Sequence, residues 1–191
     1  MVVDDEQLAG LASQGDQEAL AALAVRHRRW IYTVAYRIAL REPDALDITQ
    51  NVLLKLVSAI RSYQVPGNFR AWLTVLTTNA AIDYMRQAVR RESPVERDQL
   101  EALANSWHDP PLNPREVLEA KTQRQRVENA LRELTPQQRA ILTLRLEEDL
   151  STKEIAGRMD LSLEQIRVQL FRAVAKLKTI LGDVEKQQFP A

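Results

Sequence analysis

Apolar side chains recur every three or four residues along most of the chain, which is the spacing of amphipathic α-helices. In the first half, one long helix is predicted from the turn at 15–16 to about Arg41. A second helix begins at Pro43 and stops at the segment 62–68, which contains a helix-breaking Pro-Gly pair. A third is predicted over about 69–92. These helices are expected to form one compact N-terminal domain.

The last third of the chain carries three helix-start signals in succession. Each is a hydroxyl residue followed three positions later by Glu or Gln, the capping-box arrangement, and they lie at 135–138, 151–154 and 162–165. Only residues 157–161 separate the helix that starts at the second signal from the third signal, which leaves room for no more than a sharp turn. Together they predict a helix-turn-helix, whose second helix usually enters the major groove of DNA.

The helical period fades between these two groups of helices. Prolines lie at positions 94, 110, 111 and 114, and acidic residues outnumber basic ones in the stretch. A flexible linker is therefore predicted at 93–112, between an N-terminal domain at 1–92 and a C-terminal domain at 113–191. The C-terminal domain is predicted to open with a helix that is capped at Asn113 and runs to Leu134.

Composition supports helices and excludes several kinds of site. The 191 residues are 45% hydrophobic and 27% charged, with 5 Gly and 5% aromatic residues, which favours a globular all-α fold over a sheet. Zero Cys and only two His exclude disulfides and thiol catalysis, and leave almost no ligands for a metal. We therefore expect no enzymatic activity, no metal and no cofactor.

Neither a membrane span nor a signal peptide is predicted. No window approaches the roughly 20 apolar residues of a span, and the acidic start lacks a basic n-region, so the protein is expected in the cytoplasm. The formal net charge is +0, which is unusual for a DNA-binding protein that depends on phosphate contacts. A partner is therefore expected to supply most of the affinity for DNA.

The helix that starts near Ser162 is the candidate DNA reader. At 100° per residue, its core-facing stripe is predicted to hold Ile166, Leu170, Val174 and Leu177. Side-chain types that suit guanine edges, thymine methyl groups and phosphates occupy the opposite face: Arg167, Val168, Phe171 and Arg172. On the preceding helix, Ser151, Lys153 and the N-terminal amides are expected to contact phosphate. The alternative is an ordinary solvated helix whose Phe171 packs inside the protein.

Three segments resemble the extracytoplasmic-function (ECF) group of bacterial RNA polymerase sigma factors. The tail resembles region 4, the reader of the promoter −35 element: LTPQQRAILTLRLEEDLSTKEIAGRMDLSLEQIRVQLFRAVAKLK. In the first half, DALDITQNVLLKLVSAI resembles region 2.2, and FRAWLTVLTTNAAIDYMRQ resembles regions 2.3 and 2.4. The resemblance covers nearly the whole chain in the right order. It implies a subunit that binds core RNA polymerase, opens the −10 element with region 2 and reads the −35 element with region 4.

The resemblance also implies a polymerase-binding surface on the helix after Pro43. There the coiled coil of the largest polymerase subunit is expected to cover four residues: Leu46, Asp47, Gln50 and Leu53. The alternative is a helix buried on all sides. Leu46 and Asn51 replace two acidic residues that are usual in the family, and phosphorylation of Thr49 by a Ser/Thr kinase would restore negative charge. The hypothesis is a factor that stays dormant until this modification; its alternative is sequence drift, with control by an anti-sigma protein.

For the −10 element, the resemblance indicates that loop 62–68 captures a flipped base, with Asn68 as a hydrogen-bonding group. On the next helix Arg70, Asn79 and Arg86 are expected to touch the promoter strands. The alternative for the loop is a simple helix-helix turn. Trp72 is predicted to be a core residue.

Two other functions stay open at this point. A stand-alone dimeric helix-turn-helix regulator would bind a palindrome without polymerase. A helical adaptor would bind polymerase or a kinase but no DNA. For a sigma factor we expect weak promoter binding by the free protein, because many members hide their DNA surfaces until polymerase separates the domains.

Overall fold

The computed structural model describes residues 3–90 and 125–188. Every regular element within these two ranges is helical and none is a β-strand, which confirms the predicted all-α fold. Among these helices, none is long and apolar enough to cross a membrane. The predicted linker at 93–112 and the predicted helix start at Asn113 lie outside the described residues.

The N-terminal group consists of four α-helices and one 3₁₀ turn. These are α1 (Asp5–Ser13), α2 (Gln17–Ala39), α3 (Glu42–Ala59), the 3₁₀ turn Ile60–Ser62 and α4 (Phe69–Arg90). Carboxylates cap the first two helices: Asp4 accepts from the N–H of Gln7 at 2.7 Å, and Asp16 accepts from the N–H of Ala19 at 3.0 Å. Helix α1 was not predicted, because its buried face consists of Leu8 and two alanines and gives only a weak apolar period.

Helix α2 is the central element of this bundle and packs on α1, α3 and α4. Leu23, Ile31 and Ile38 of α2 are buried in one cluster with Ile48 and Leu56 of α3. Burial of each such side chain contributes roughly 1.5–3 kcal/mol. The apolar stripes that predicted α2 and α3 therefore meet each other, and residues on the opposite sides of both helices remain available for other contacts.

The C-terminal group holds α5 (125–132), α6 (Pro136–Glu147), α7 (Thr152–Met159) and α8 (Leu163–Gln188). All three predicted capping boxes are present. The hydroxyls of Thr135, Ser151 and Ser162 accept from the backbone three residues on at 3.2, 3.2 and 3.1 Å, and the Gln or Glu side chains bond back. Asp160, with φ 53°, takes the left-handed conformation that turns the chain from α7 into α8. The predicted helix-turn-helix is thus confirmed as α7 and α8.

The two helical groups pack against each other through α6, which contacts both α2 and α4. Ala71 of α4 is buried in one cluster with Ile141, Leu144, Ile155 and Ile166 of the C-terminal group. One apolar cluster is therefore shared between the two groups. Part of the surface of α2 and of α4 that points away from the N-terminal core is covered by this contact.

A buried arginine supplies the polar part of the contact. Arg139 of α6 donates from Nε to the carbonyl oxygen of Ile38, at the end of α2, over 2.7 Å. Its Nη1 donates to the carbonyl oxygens of Leu134 and Leu131 at 2.7 and 3.1 Å. Burial lowers the pKa of Arg139 to about 10, and the charge of Arg132 adds to that effect. Three carbonyl oxygens thus replace the water that the charged guanidinium loses.

Candidate nucleic-acid interface

The exposed face of α8 holds the predicted base-reading side chains. Arg167 and Arg172 are exposed, Phe171 is 76% exposed, and Val168 is half-buried beside them. The alternative in which Phe171 packs inside the protein is therefore wrong. An exposed aromatic ring flanked by two guanidinium groups is a surface that needs a partner.

The opposite face of α8 differs from the prediction at one position. Ile166 is fully buried, and Leu170 and Leu177 pack on the core, but Val174 is 41% exposed. Ala173 is fully buried in its place. At 100° per residue Val174 lies about 80° from Ile166 and Ala173 only about 20°. The small alanine therefore allows close packing at the centre of the stripe, and valine lies at its margin.

The N-terminus of α7 is less suited to phosphate than the sequence indicates. Lys153 is exposed, as expected, but the hydroxyl of Ser151 lies 2.7 Å from a carboxylate oxygen of Glu154. Hydrogen bonds from the side chain and the backbone of Ser151 lower the pKa of Glu154, so this carboxylate is ionised at neutral pH. The negative charge of Glu154 stabilises the N-terminus of α7, and it repels a phosphate at the same place.

Helix α4 carries three of the four predicted −10 residues, Arg70, Asn79 and Arg86, and the C-terminal group contacts two of them. The side-chain nitrogen of Asn79 lies 3.4 Å from the carbonyl oxygen of Arg158 in α7. The guanidinium of Arg70 stacks 3.9 Å over the ring of Trp30, with its Nε 3.4 Å from Glu148. Arg86 lies near the C-terminal end of α4 and is exposed. The structure thus brings Arg70 and Asn79 into the contact between the groups and leaves Arg86 outside it.

A cleft of about 390 Å³ lies between loop 62–68 and the two helical groups. We call it the loop cleft; its walls include Tyr63, Gln64, Gly67 and Asn68 of the loop, Trp72 of α4 and Arg158 of α7. The Asn68 carboxamide oxygen accepts from the N–H of Ala71 at 2.9 Å and so caps α4. That leaves its NH₂ group as the part able to meet a base. Trp72, predicted as core, is half-buried and offers part of its ring to the cleft.

Gly67 is the position in the loop where no side chain fits. A Cβ built there would lie 2.6 Å from the hydroxyl oxygen of Tyr63 and 2.8 Å from the carbonyl oxygen of Gln64. Backbone atoms cannot yield as a flexible side chain does, so the close approach requires glycine. The Pro-Gly pair therefore does more than end a helix, because it lets the loop fold tightly onto Tyr63.

The outward face of α3 carries a row of apolar side chains. Leu46 is 38% exposed, Leu54 73% and Val57 57%, with Gln50 exposed among them. Asp47 is also on this side and accepts from the hydroxyl of Tyr84 at 2.8 Å. Leu53, predicted for this surface, is half-buried against the bundle core. The alternative of a helix buried on all sides is therefore wrong within the described residues.

The structure corrects the predicted placement of Thr49. Its side chain is 4% exposed, and its hydroxyl donates to the carbonyl oxygen of Ala45 at 2.7 Å. The buried arc of α3 is centred on Ala45 and Val52, about 40° and 60° from Thr49 around the helix axis at 100° per residue. The phosphorylation hypothesis requires an accessible hydroxyl at Thr49, and the structure places that hydroxyl on the buried face instead.

Comparison with known proteins identifies the two helical groups. The Sigma-70 region 2 family model matches residues 23–91, and the Sigma-70 region 4 model matches residues 124–177. The ECF RNA polymerase sigma factor SigE of Mycolicibacterium smegmatis is 31% identical over 174 residues, which are 88% of this chain and 65% of that protein. This chain is an ECF member of the sigma-70 family. Sigma factors take part in initiation without being enzymes.

Other similar proteins agree with this assignment. The ECF RNA polymerase sigma-E factor of Escherichia coli is 29% identical over 173 residues, 88% of this chain and 90% of that protein. CnrH, solved in complex with the cytosolic domain of CnrY, matches with a TM-score of 0.60 and 24% identity over 94% of this chain and 97% of its own. RpoE of Bartonella quintana, solved with the anti-sigma factor NepR, matches with a TM-score of 0.57 and 18% identity. The match covers 83% of this chain and 93% of the RpoE chain. The two structures show a shared fold.

The structure also draws attention to two residues that the sequence pattern does not single out. Leu54 is the most exposed of the large apolar residues on α3, but nothing in the sequence separates it from its apolar neighbours. Glu148, in the turn after α6, is 4% exposed at its side chain and lies 2.8 Å from the hydroxyl oxygen of Thr74. In the sequence it is the middle of three consecutive acids and looks solvated. Only the contact between region 2 and region 4 reveals its role.

Proposed function

We propose that this sigma-70 protein binds core RNA polymerase and directs promoter-specific initiation in the cytoplasm. The observation that carries this is the face formed by Arg167, Phe171 and Arg172 on the second helix of the helix-turn-helix, which is exposed within the part of the chain that the structure describes. Guanidinium groups bond guanine edges and phosphates, and apolar side chains contact thymine methyl groups. Region 4 is therefore proposed to read the −35 element.

Region 2 is proposed to bind the polymerase through α3. Its outward row of Leu46, Leu54 and Val57 is apolar and exposed, while the polar residues Asp47 and Gln50 border it. A surface of this kind suits the apolar side of a helical partner, here the coiled coil of the largest polymerase subunit. The missing acids make the contact depend on apolar burial more than on charge pairs. An anti-sigma protein is a further proposed partner, as CnrH and RpoE were each solved in a complex.

The free protein is proposed to be closed with respect to the −10 element and open with respect to the −35 element. Region 4 engages Arg70 through Glu148 and Asn79 through the Arg158 carbonyl. Arg158 also lines the loop cleft, where a flipped base would enter. The α8 face remains exposed in the same arrangement. Weak promoter binding by the free protein then follows from occlusion of region 2 alone, and region 4 must move off α4 before the −10 element can bind.

Run-off transcription with purified core polymerase tests the proposed function directly. We expect core enzyme plus this protein to start at defined sites on genomic fragments, and core alone to give none of these transcripts. A stand-alone regulator would bind a palindrome and leave core without a new start site. An adaptor would bind core but show no dependence on promoter sequence. Either result would replace the proposal.

Control by phosphorylation of Thr49 remains a hypothesis. Because the Thr49 hydroxyl is buried, the hypothesis requires a movement that exposes it. A kinase reaches Thr49 only if the first half of α3 moves away from the bundle. A phosphate there would add about −1.5 to −2 charge at a site now packed among apolar side chains. Modification would therefore act by exposing this segment of α3 and holding it exposed.

Thr49→Glu and Thr49→Ala separate the hypothesis from drift. We expect Thr49→Glu to lower the free energy of unfolding by about 2 kcal/mol or more relative to Thr49→Ala, because a carboxylate is forced into an apolar site. Urea unfolding measures this, and Thr179→Glu is the control, since Thr179 is exposed and donates to the carbonyl oxygen of Ala175 in the same way. Under the switch, Thr49→Glu also binds core more tightly than Thr49→Ala. Equal, tight binding by both variants removes it.

A further inference from the structure

A carboxylate from α1 ties together the two ends of the loop that forms the cleft. Glu6 Oε1 accepts from the backbone N–H of Phe69 at 2.6 Å, and Glu6 Oε2 accepts from the hydroxyl of Tyr63. Tyr63 follows the 3₁₀ turn and Phe69 is the first residue of α4. Segment 63–69 is therefore closed at its base by one side chain that is distant in sequence.

The surroundings of Tyr63 make this tie part of the shape of the cleft. Tyr63 as a residue is 7% exposed, and its ring meets the rings of Phe69 and Trp72 edge-on, with centroids 5.7 and 5.4 Å away. Its hydroxyl is also the group that a Cβ at Gly67 would strike first. Desolvation and the hydrogen bond to Glu6 raise the pKa of Tyr63, so the hydroxyl stays protonated and donates. Hydrogen bonds to an ionised acceptor are among the stronger ones in proteins.

We propose that Glu6 is a positioning residue for recognition of the −10 element: it holds the loop cleft in the shape that accepts an unstacked base, without touching DNA. This inference rests on the proposed function. Glu6 lies outside residues 23–91, the range matched by the region 2 family model. The role follows from the two bonds of the carboxylate and from the residues they fix, Tyr63 and Phe69, next to the cleft wall formed by Trp72.

The other proposed surfaces are separate from Glu6. The apolar row of α3 lies on the outward side of that helix, and the reading face of α8 belongs to region 4. Loss of the Glu6 carboxylate should therefore leave core binding and −35 binding intact. It should reduce only the part of the −10 affinity that comes from the captured base.

The test uses holoenzyme made from core polymerase and the full chain. Its ligand is a single-stranded oligonucleotide carrying the −10 element mapped by run-off transcription, compared with the same strand made abasic at each position in turn. For the wild type, we expect the abasic site at the captured position to weaken binding about tenfold. For Glu6→Ala we expect the weakening at that position to fall below about twofold, because the pocket no longer discriminates.

Two further variants distinguish positioning from a loss of folding. Glu6→Gln keeps an oxygen for the Phe69 N–H and an NH₂ group able to bond the Tyr63 oxygen, so it should regain most of the wild-type discrimination. Glu18→Ala removes an exposed acid from the start of α2, close to the same end of the chain, and should keep all of it. Rescue by the amide at position 6 is not expected if only total acidic charge matters.

Each outcome decides the inference. If Glu6→Ala discriminates as strongly as the wild type, Glu6 does not position the cleft, and the proposed function is untouched. If Glu6→Ala fails to bind core, Tyr63→Phe is measured on the same strands, because it removes only the hydroxyl; undiminished discrimination by Tyr63→Phe overturns the inference. If the wild type itself shows no abasic position that matters, the proposed −10 role fails and the inference fails with it.

Discussion

Cross-linking region 2 to region 4 in the closed arrangement is expected to abolish promoter-dependent initiation while core polymerase still binds. The chain has no cysteine, so two introduced cysteines are its only thiols. Arg37 of α2 and Glu147 of α6 form a partly exposed ion pair with 2.6 Å between Nη1 and Oε1, which makes them suitable positions. A reducible bifunctional maleimide joining Arg37→Cys to Glu147→Cys holds Arg158 at the loop cleft and Glu148 on Arg70.

The physical reason is a competition for one face of α4. If the −10 strand binds Arg70, Asn79 and the cleft as proposed, region 4 cannot occupy them at the same time, and a protein held closed loses the opening step. The outward row of α3 and the reading face of α8 are exposed in the closed form, so binding of core and of −35 duplex should survive. Run-off transcription and fluorescence anisotropy measure the two properties, before and after reduction.

A second cysteine pair controls for the chemistry. Glu133 and Lys176 lie 4.0 Å apart at their charged ends, and both belong to region 4. Bridging Glu133→Cys to Lys176→Cys therefore places the same reagent within one region and should leave initiation unchanged. Full initiation by the Arg37→Cys/Glu147→Cys bridged protein would mean that the closed arrangement is itself active, contrary to the proposal.

Replacing both Arg167 and Arg172 by Glu is expected to reduce transcription from a −35-dependent promoter on the order of 100-fold or more. Each bidentate arginine-base contact contributes roughly 1–3 kcal/mol, and a glutamate additionally repels the phosphates. Both side chains are exposed on α8, so the change should not affect folding. Promoter-specific run-off and −35 duplex binding are the measurements, with core affinity as the property that stays constant.

The control applies the same change of charge to the same helix. Lys176 and Lys178 lie further along α8, beyond the residues that would enter the groove. Replacing both by Glu should reduce transcription far less than replacing the arginine pair does, and any reduction should be similar on all promoters. If the two double variants behave alike, net charge rather than base reading sets the affinity. If neither changes transcription, an adaptor without DNA binding becomes the better account.

Much of the architecture was predictable because local signals act over a few residues. The hydroxyls of Thr135, Ser151 and Ser162 each fix a helix start through bonds three residues away, and those bonds are all present. The exposure of Phe171 also followed from its angle to Ile166 around α8. Periodicity and capping are properties of one helix, so the sequence contains what is needed.

Features that depend on two helices at once were beyond such reasoning. Thr49 is buried because the bundle covers an arc of α3 that reaches from Ile48 to Thr49, about 100° around the helix axis. Glu148 is buried because region 4 carries it onto Thr74, and Glu6 meets Phe69 across 63 residues of sequence. A charged residue in a polar stretch gives no sign that a distant donor will cover it. The loop cleft depends on two such distant residues: Arg158 lines it from α7, and Glu6 holds its loop from α1.

The bonds of Arg139 have a consequence for how freely the two halves can be exchanged. Its guanidinium donates hydrogen bonds to main-chain carbonyl oxygens, including that of Ile38, and every amino acid supplies such an oxygen. Substitution of side chains at the end of α2 therefore does not remove this hydrogen bond. Hybrids that graft this region 4 onto the front half of a relative should still dock, provided that the relative ends the equivalent helix at the same point.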